Sequence, residues 1–231
     1  ALLALGLGAC AVTPQRPTPK AAVTPQPLAR MVIATPDADH DAMAQLLAGE
    51  MALNHTDLKA ASEHYGKAMA VSGDPKVAER ATGLAIAVHD GAAAQRALDR
   101  WQALGAKPAE MAQARAELAL DHGDADEARH QLELLTGSGA KDAWRQFGRV
   151  LVGARDQAQA GRLLEALATP QRLPGDAQAW LAMSELGDKF GRHAYAVKIA
   201  DAAVQRFKNA ETYAWAAQMK FKDGDRDGAR A

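Results

Sequence analysis

The sequence has a single cysteine, Cys10, and few aromatic residues, which make up 5% of its 231 residues. One cysteine excludes an intrachain disulfide, so the fold has to be held together by packing. Neither sign of charge dominates, because the net charge is −1, and this argues against a nucleic-acid partner. With 48% hydrophobic residues and abundant alanine, the best helix former, the composition predicts an all-helical fold with close helix contacts.

The sequence also lacks the patterns that carry catalysis or metal chemistry. It has no Gly-x-Ser-x-Gly nucleophile turn, no phosphate-binding glycine loop and no histidines at i, i+4. We therefore predict a protein without enzyme activity, cofactor or metal. Asp223, Asp225, Asp227 and Gly228 imitate the start of a calcium-binding loop, but a turn followed by a helix cap is the simpler interpretation.

What the sequence does have is a repeat, marked by six alanines at nearly constant spacing. Ala61, Ala94, Ala128, Ala160, Ala196 and Ala229 lie 33, 34, 32, 36 and 33 residues apart. A period near 34 is typical of helix pairs that cannot bury their apolar faces alone and must stack. We predict an all-α solenoid of about five to six antiparallel helix pairs over residues 40–231, incomplete at its C-terminus.

The fourth repeat shows the pattern most clearly. Trp144, Phe147 and Leu151 fall on one helical face at i, i+3 and i+7, so we expect all three to face the core. Gly148 is expected to let the first helix approach its partner closely, with Ala160 as the small residue on that partner. These residues resemble the tetratricopeptide (TPR) pattern W-x2-L-G-x2-Y followed by A-x3-F, and the resemblance implies a groove that binds proteins.

The first 36 residues have a different character. Residues 1–10 are apolar and end in Leu7-Gly8-Ala9-Cys10, which resembles the lipobox at the end of a bacterial lipoprotein signal peptide. The resemblance implies lipidation of Cys10, and Ala11 after it favours the outer membrane. Residues 11–36 hold six of the ten prolines and predict a disordered tether. The alternative is a chance apolar helix with a buried cysteine.

Three segments resemble the first repeats of large proteobacterial outer-membrane TPR lipoproteins: residues 46–52 (LLAGEMA), 64–68 (HYGKA) and 74–81 (DPKVAERA). The resemblance implies a non-catalytic adaptor, anchored on the periplasmic face, that recruits a carboxyl-terminal processing protease or a cell-wall enzyme. One alternative is a structural subunit of an envelope machine, such as pilus-secretin or barrel assembly. Another is an enzyme whose catalytic domain lies beyond Ala231.

Groove positions follow from the TPR resemblance, which places them at fixed points of each first helix. Counting from Gly49 predicts the groove residues Leu46, Glu50, Leu53, Asn54, Glu79, Gln113, Glu117, Arg145, Arg149 and Glu185. Their mixed charges suit an extended peptide or a partner helix. Because Arg145 and Arg149 lie one turn apart and repel each other, we expect an acidic group of the partner between them.

Overall fold

The computed structural model describes Asp37, residues 40–225, Gly228 and Ala229. The described residues form eleven α-helices and no strand. The helices are α1 (Ala42–Asn54), α2 (Leu58–Val71), α3 (Pro75–Ala87), α4 (Gly91–Ala103), α5 (Pro108–His122), α6 (Ala125–Gly137), α7 (Ala143–Gly153), α8 (Gln157–Leu167), α9 (Ala177–Lys189), α10 (His193–Phe207) and α11 (Ala210–Lys222). The predictions for residues 1–10 and 11–36, including lipidation of Cys10, lie outside the described residues.

The helices pack as antiparallel pairs that stack in chain order. The pairs are α1 with α2, α3 with α4, α5 with α6, α7 with α8 and α9 with α10, and α11 packs against α10 and α9. Contacts also run between successive first helices, from α3 through α5, α7 and α9 to α11. The chain is therefore an all-α helical-repeat solenoid. Its first layer consists of the odd-numbered helices and its second layer of the even-numbered ones.

The repeat alanines set the register of the second layer. Ala61, Ala94, Ala128 and Ala160 have no exposed surface, and Ala196 is 1% exposed. Each lies four residues after the N-cap of its helix. A methyl side chain at this point lets neighbouring helices approach closely without leaving a void. The predicted repeat register is confirmed for these five alanines.

Aspartate side chains fix where the second-layer helices begin. Asp57, Asp90, Asp124 and Asp156 each accept a hydrogen bond from the backbone N–H three residues further on, at 2.9–3.0 Å. Such a cap satisfies one of the N–H groups that a helix leaves free at its start. Asp225 accepts in the same way from the N–H of Gly228 at 2.8 Å, as expected for a turn followed by a cap. Asp227 lies outside the described residues.

The fourth pair corrects two expectations. Phe147 and Leu151 have no exposed surface, but Trp144 is only half-buried, since Phe147 fills the space beneath it with the two ring centroids 5.3 Å apart. The expectation for Gly148 was also wrong, because a Cβ there would meet Cε of Met183 in α9 at 3.4 Å and no atom of α8 within 4 Å. At this glycine, α7 approaches the next pair.

Side chains of the second layer also bind the end of the preceding second-layer helix. Arg100 in α4 donates to the carbonyl oxygens of Met69 at 3.3 Å and Ser72 at 2.8 Å, where α2 ends. The Tyr195 hydroxyl in α10 donates to the carbonyl oxygen of Ala168, just after α8, at 2.8 Å. Burial raises the pKa of Tyr195 well above its usual range, so this hydroxyl keeps its proton. These bonds satisfy carbonyls at helix ends and join neighbouring pairs.

Candidate functional site: two grooves in the first layer

Helices α3, α5 and α7 border a groove of about 560 Å³, which we call the central groove. Four of the residues predicted by counting repeat positions line it: Glu79, Gln113, Glu117 and Arg149. They come from three successive repeats. Stacking in register brings equivalent positions of neighbouring first helices side by side, and these four residues therefore line one groove, while their role in binding stays a prediction.

The charged groups of the central groove are largely engaged with one another. The amide Nε2 of Gln113 donates to Oε1 of Glu117 at 2.9 Å. Burial raises the pKa of Glu117, and the Gln113 hydrogen bond and the positive charge of Arg149 partly offset that rise. Glu79 accepts from Nζ of Lys76 at 2.6 Å. The central groove is therefore a polar surface on which Glu79 and Glu117 already accept hydrogen bonds from side chains of this protein.

A second and larger groove lies between α7, α9 and α11. It has a volume of about 1280 Å³, and we call it the C-terminal groove. Two predicted residues, Arg145 and Glu185, are among its charged lining residues, which we call the rim. Its apolar lining residues, which we call the floor, include Trp144, Gly148, Val152, Met183, Leu186 and Trp215. A concave apolar floor with a few polar groups around it is the usual form of a binding site.

The indole of Trp215 is held in place from below. Its Nε1 donates to the hydroxyl oxygen of Ser184 at 2.9 Å, and that hydroxyl donates in turn to the carbonyl oxygen of Ala196 at 2.7 Å. Ser184 is fully buried, so the chain of bonds runs from the core to the groove. A fixed indole loses little conformational freedom when a ligand packs on it.

The rim of the C-terminal groove carries more free cations than free acids. Nζ of Lys222 lies 2.7 Å from Asp188, and this contact lowers the pKa of Asp188, which also pairs with His193. The Arg145 side chain is 76% exposed, and its Nη2 forms a long ion pair with Oδ2 of Asp142 at 3.6 Å. The remaining cations of the rim are Lys141 and Lys189, and the remaining acids are Glu185 and Asp176, of which Asp176 caps α9.

The structure separates the predicted arginine pair. Arg145 lines the C-terminal groove and Arg149 lines the central groove, because α7 forms the wall between them. Each arginine also has an acid of this chain nearby, Asp142 for Arg145 and Glu117 for Arg149. An acidic partner group between the two arginines stays a prediction.

The four groove residues predicted in the first pair line neither of these two grooves. Leu46 and Leu53 are half-buried and pack against the core of the first two pairs. Glu50 accepts a hydrogen bond from the hydroxyl of Tyr65, and Asn54 is exposed at the end of α1. Their role in binding also stays a prediction.

Sequence reasoning missed the aromatic floor of the C-terminal groove. Trp144 was assigned to the core, and Trp215 lies at a repeat position that the groove count skips. At the equivalent point the other pairs carry Leu47, Arg80, Ala114, Gln146 and Ala182. A tryptophan at a position where the other repeats vary so widely was a signal that the sequence did contain.

Polar residues just before α1 form a capped helix start. Asp41 accepts from the N–H of Met43 at 2.9 Å, and Nδ1 of His40 lies 2.6 Å from Oδ2 of Asp37; Asp39 is outside the described residues. In the part of the chain that the structure describes, no group of three His, Cys, Asp or Glu side chains is arranged to hold a metal ion. The helices there are too short or too polar to cross a bilayer.

No protein-family model matches this chain, and no curated protein matches it. Among solved structures, it is similar to a tetratricopeptide repeat protein from Parabacteroides merdae, with a TM-score of 0.48, 14% identity, and coverage of 85% of this chain and 76% of that one. It is also similar to pilF of Pseudomonas aeruginosa, with a TM-score of 0.45, 18% identity, and coverage of 84% and 89%.

A third similar structure is YrrB, described as a TPR protein with an unusual peptide-binding site, with a TM-score of 0.41, 15% identity, and coverage of 75% and 90%. The stacked helix pairs and the buried repeat alanines of this chain themselves show that it is an all-α helical-repeat solenoid.

Proposed function

We propose that this protein is a non-catalytic scaffold that binds a peptide segment of a partner protein in the C-terminal groove. The observation that supports it is an apolar floor that includes Trp144 and Trp215, bordered by a rim that carries the exposed Arg145 together with Lys141 and Lys189. An apolar side chain of the peptide packs on the floor and displaces water from it. A carboxylate of the peptide, from Asp, Glu or the C-terminus, binds the guanidinium of Arg145.

A partner segment that crosses α7 meets the central groove as well. Arg149 lies one turn after Arg145 on the same helix and faces Glu117 across that groove. Longer partners therefore find a second, polar contact surface, and mixed charges there contribute specificity more than affinity.

We further propose that the scaffold is anchored by lipid on Cys10 to the periplasmic face of a bacterial outer membrane, where it recruits a protease or a cell-wall enzyme. The support is the sequence Leu7-Gly8-Ala9-Cys10 followed by the proline-rich stretch. Wild type and Cys10→Ser are labelled with a palmitate analogue in cells and fractionated. Label and outer-membrane recovery in wild type alone support the anchor, whereas an unlabelled, soluble wild type contradicts it.

The binding experiment uses the full chain with Cys10→Ser, which cannot be lipidated at that position, and an array of peptides with free C-termini. Arg145→Glu is compared with Arg162→Glu, which makes the same charge change at an exposed site on α8 in the second layer. Losing a hydrogen bond between charged groups costs about 1.5–3 kcal/mol, so Arg145→Glu should weaken binding about tenfold or more. Equal affinities for the two variants would place binding elsewhere.

A further inference from the structure

A smaller cavity of about 270 Å³ adjoins the central groove where the first-layer helices end. It lies between the last turns of α3, α5 and α7, and we call it the end pocket. The end pocket and the central groove share Ile86, Glu117 and Arg149 among their lining residues, so the two spaces are continuous. A side chain of a segment bound in the central groove can therefore enter the end pocket.

The walls of the end pocket are largely aliphatic. They are formed by the half-buried Ile86 and by the buried side chains of Leu120, Val150 and Ala154. The end pocket also has two carboxylates, from Glu117 and Asp121, which lie one turn apart on α5. A side chain that matches aliphatic walls and a carboxylate has an apolar stem and a cationic head, as Lys and Arg have.

The two carboxylates of the end pocket have different neighbours. Oδ1 of Asp121 lies 3.0 Å from Nε of Arg155 and 3.5 Å from Nδ1 of His89. Glu117, in contrast, forms no ion pair with the described residues, and its hydrogen-bond donor is the neutral amide of Gln113 at 2.9 Å. A carboxylate that is removed from water costs free energy unless a cation compensates its charge.

Arg149 compensates the charge of Glu117 only in part. Its positive charge lowers the pKa of Glu117, but burial raises that pKa by more, so it stays above its ordinary value of 4.5. The Arg149 side chain is itself exposed and lines both cavities. The end pocket therefore contains a carboxylate that this protein leaves without a full countercharge.

We propose that the end pocket binds a basic side chain of the partner, Lys or Arg, with its charged group on the carboxylate of Glu117. The methylene groups pack on Leu120 and Val150, and the ammonium or guanidinium group donates to the Glu117 oxygens. The attraction between the two charges is strengthened because water is partly excluded there. This inference rests on the proposed function, since the basic side chain belongs to the segment that crosses α7.

The positions of Arg145 and Glu117 set the spacing of charges in the partner. In the repeat register Gln113 of α5 is equivalent to Arg145 of α7, and Glu117 follows Gln113 by one turn, about 6 Å along the helix. With neighbouring helix axes about 8–10 Å apart, the two charged positions lie roughly 11 Å from each other, which three or four extended residues span. The partner segment therefore has an acidic and a basic residue at about this separation.

Peptide binding to the full chain with Cys10→Ser tests the end pocket. Each synthetic peptide has a leucine and a glutamate for the C-terminal groove and a lysine three residues before or after the glutamate. Its twin has norleucine in place of the lysine. Fluorescence polarisation gives the affinities of the Cys10→Ser chain and of the same chain with Glu117→Gln, which keeps the acceptor oxygen for Gln113. The matched control is Glu63→Gln, the same charge change at an exposed site on α2.

The proposal expects one lysine peptide to bind about tenfold more tightly than its norleucine twin, as a hydrogen bond between charged groups provides. Glu117→Gln should abolish this lysine preference, and Glu63→Gln should keep it. Equal affinities of the twins for the Cys10→Ser chain, absence of binding included, would overturn the proposal. A lysine preference that persists in Glu117→Gln would overturn it as well.

The Arg145→Glu variant separates this proposal from the proposed function. If Arg145→Glu weakens both twins equally and no lysine preference exists, the C-terminal groove remains the binding site and the end pocket is rejected. If the lysine preference depends on Glu117 while Arg145→Glu has no effect, the end pocket stands and the proposed role of the C-terminal groove is rejected.

Discussion

The second and fourth helix pairs solve the same packing problem with different side chains. Helices α3 and α4 are 13 residues each, meet at small residues such as Ala78, Ala85 and Ala94, and approach closely along their length. Helices α7 and α8 are 11 residues each, meet at Phe147 and large leucines, and have fewer close backbone approaches. Large side chains hold helices apart, and the wide C-terminal groove lies beside the pair that contains them.

The largest expected effect separates two aromatic residues of the fourth pair. Phe147→Ala removes a fully buried ring and should lower the free energy of unfolding by about 3–5 kcal/mol. Trp144→Ala should cost clearly less, because the Trp144 ring is half-buried on the groove side. Urea unfolding of both variants measures the two costs. A greater loss for Trp144→Ala would mean that the fourth pair depends on its groove face.

A matched glycine-to-alanine comparison tests how tightly the pairs are packed. A Cβ at Gly49 would lie 2.7 Å from Cδ2 of the Tyr65 ring, so Gly49→Ala should cost about 1–3 kcal/mol through overpacking. At the equivalent Gly148 the nearest atom is the mobile methyl of Met183 at 3.4 Å. The helix propensity of alanine, up to about 1 kcal/mol better than glycine, should make Gly148→Ala neutral or stabilising. Similar losses at both sites would contradict the difference.

A smaller effect compares two helix starts. Asp90 caps α4 by accepting from the N–H of Ala93 at 2.9 Å, so Asp90→Ala should cost about 1 kcal/mol. Asp142 makes no side-chain cap bond to α7, so Asp142→Ala should cost only the few tenths of a kcal/mol typical of exposed contacts. Thermal unfolding of the two variants measures this, and an equal cost would show that Asp142 caps α7 in solution.

The smallest effect concerns pH. The pKa of Glu117 is raised above its ordinary value of 4.5, chiefly by burial. From about pH 4.5 upward, the folded protein therefore keeps a proton that the unfolded chain has released, and this contribution to stability falls as pH rises through that window. Glu117→Gln removes the contribution, so stability should depend less on pH in the variant. An unchanged pH profile would mean that water reaches Glu117 freely.

The sequence predicted the repeat much better than the grooves. Alanine spacing depends on local helix packing, so Ala61 to Ala196 could be placed from periodicity alone. The separation of Arg145 from Arg149 depends on how α7 is rotated between α5 and α9, which periodicity does not encode. The half-burial of Trp144 has the same origin, since it follows from Phe147 filling the space beneath it. Counting positions found residues of each groove but could not tell which groove they line.

The bonds of Arg100 and Tyr195 have a mechanical consequence. Each side chain donates to a carbonyl oxygen at the end of the second-layer helix in the pair before its own. Separating the two pairs therefore leaves the Arg100 guanidinium or the Tyr195 hydroxyl without its hydrogen-bond partner. Under a force applied along the array, pairs joined in this way should rupture together, in steps longer than a single pair. Optical-tweezer traces of wild type and Arg100→Met would show this as longer steps in wild type. When joined pairs unfold together in one step, the pairs that stay folded keep the grooves between them while a bound partner is pulled.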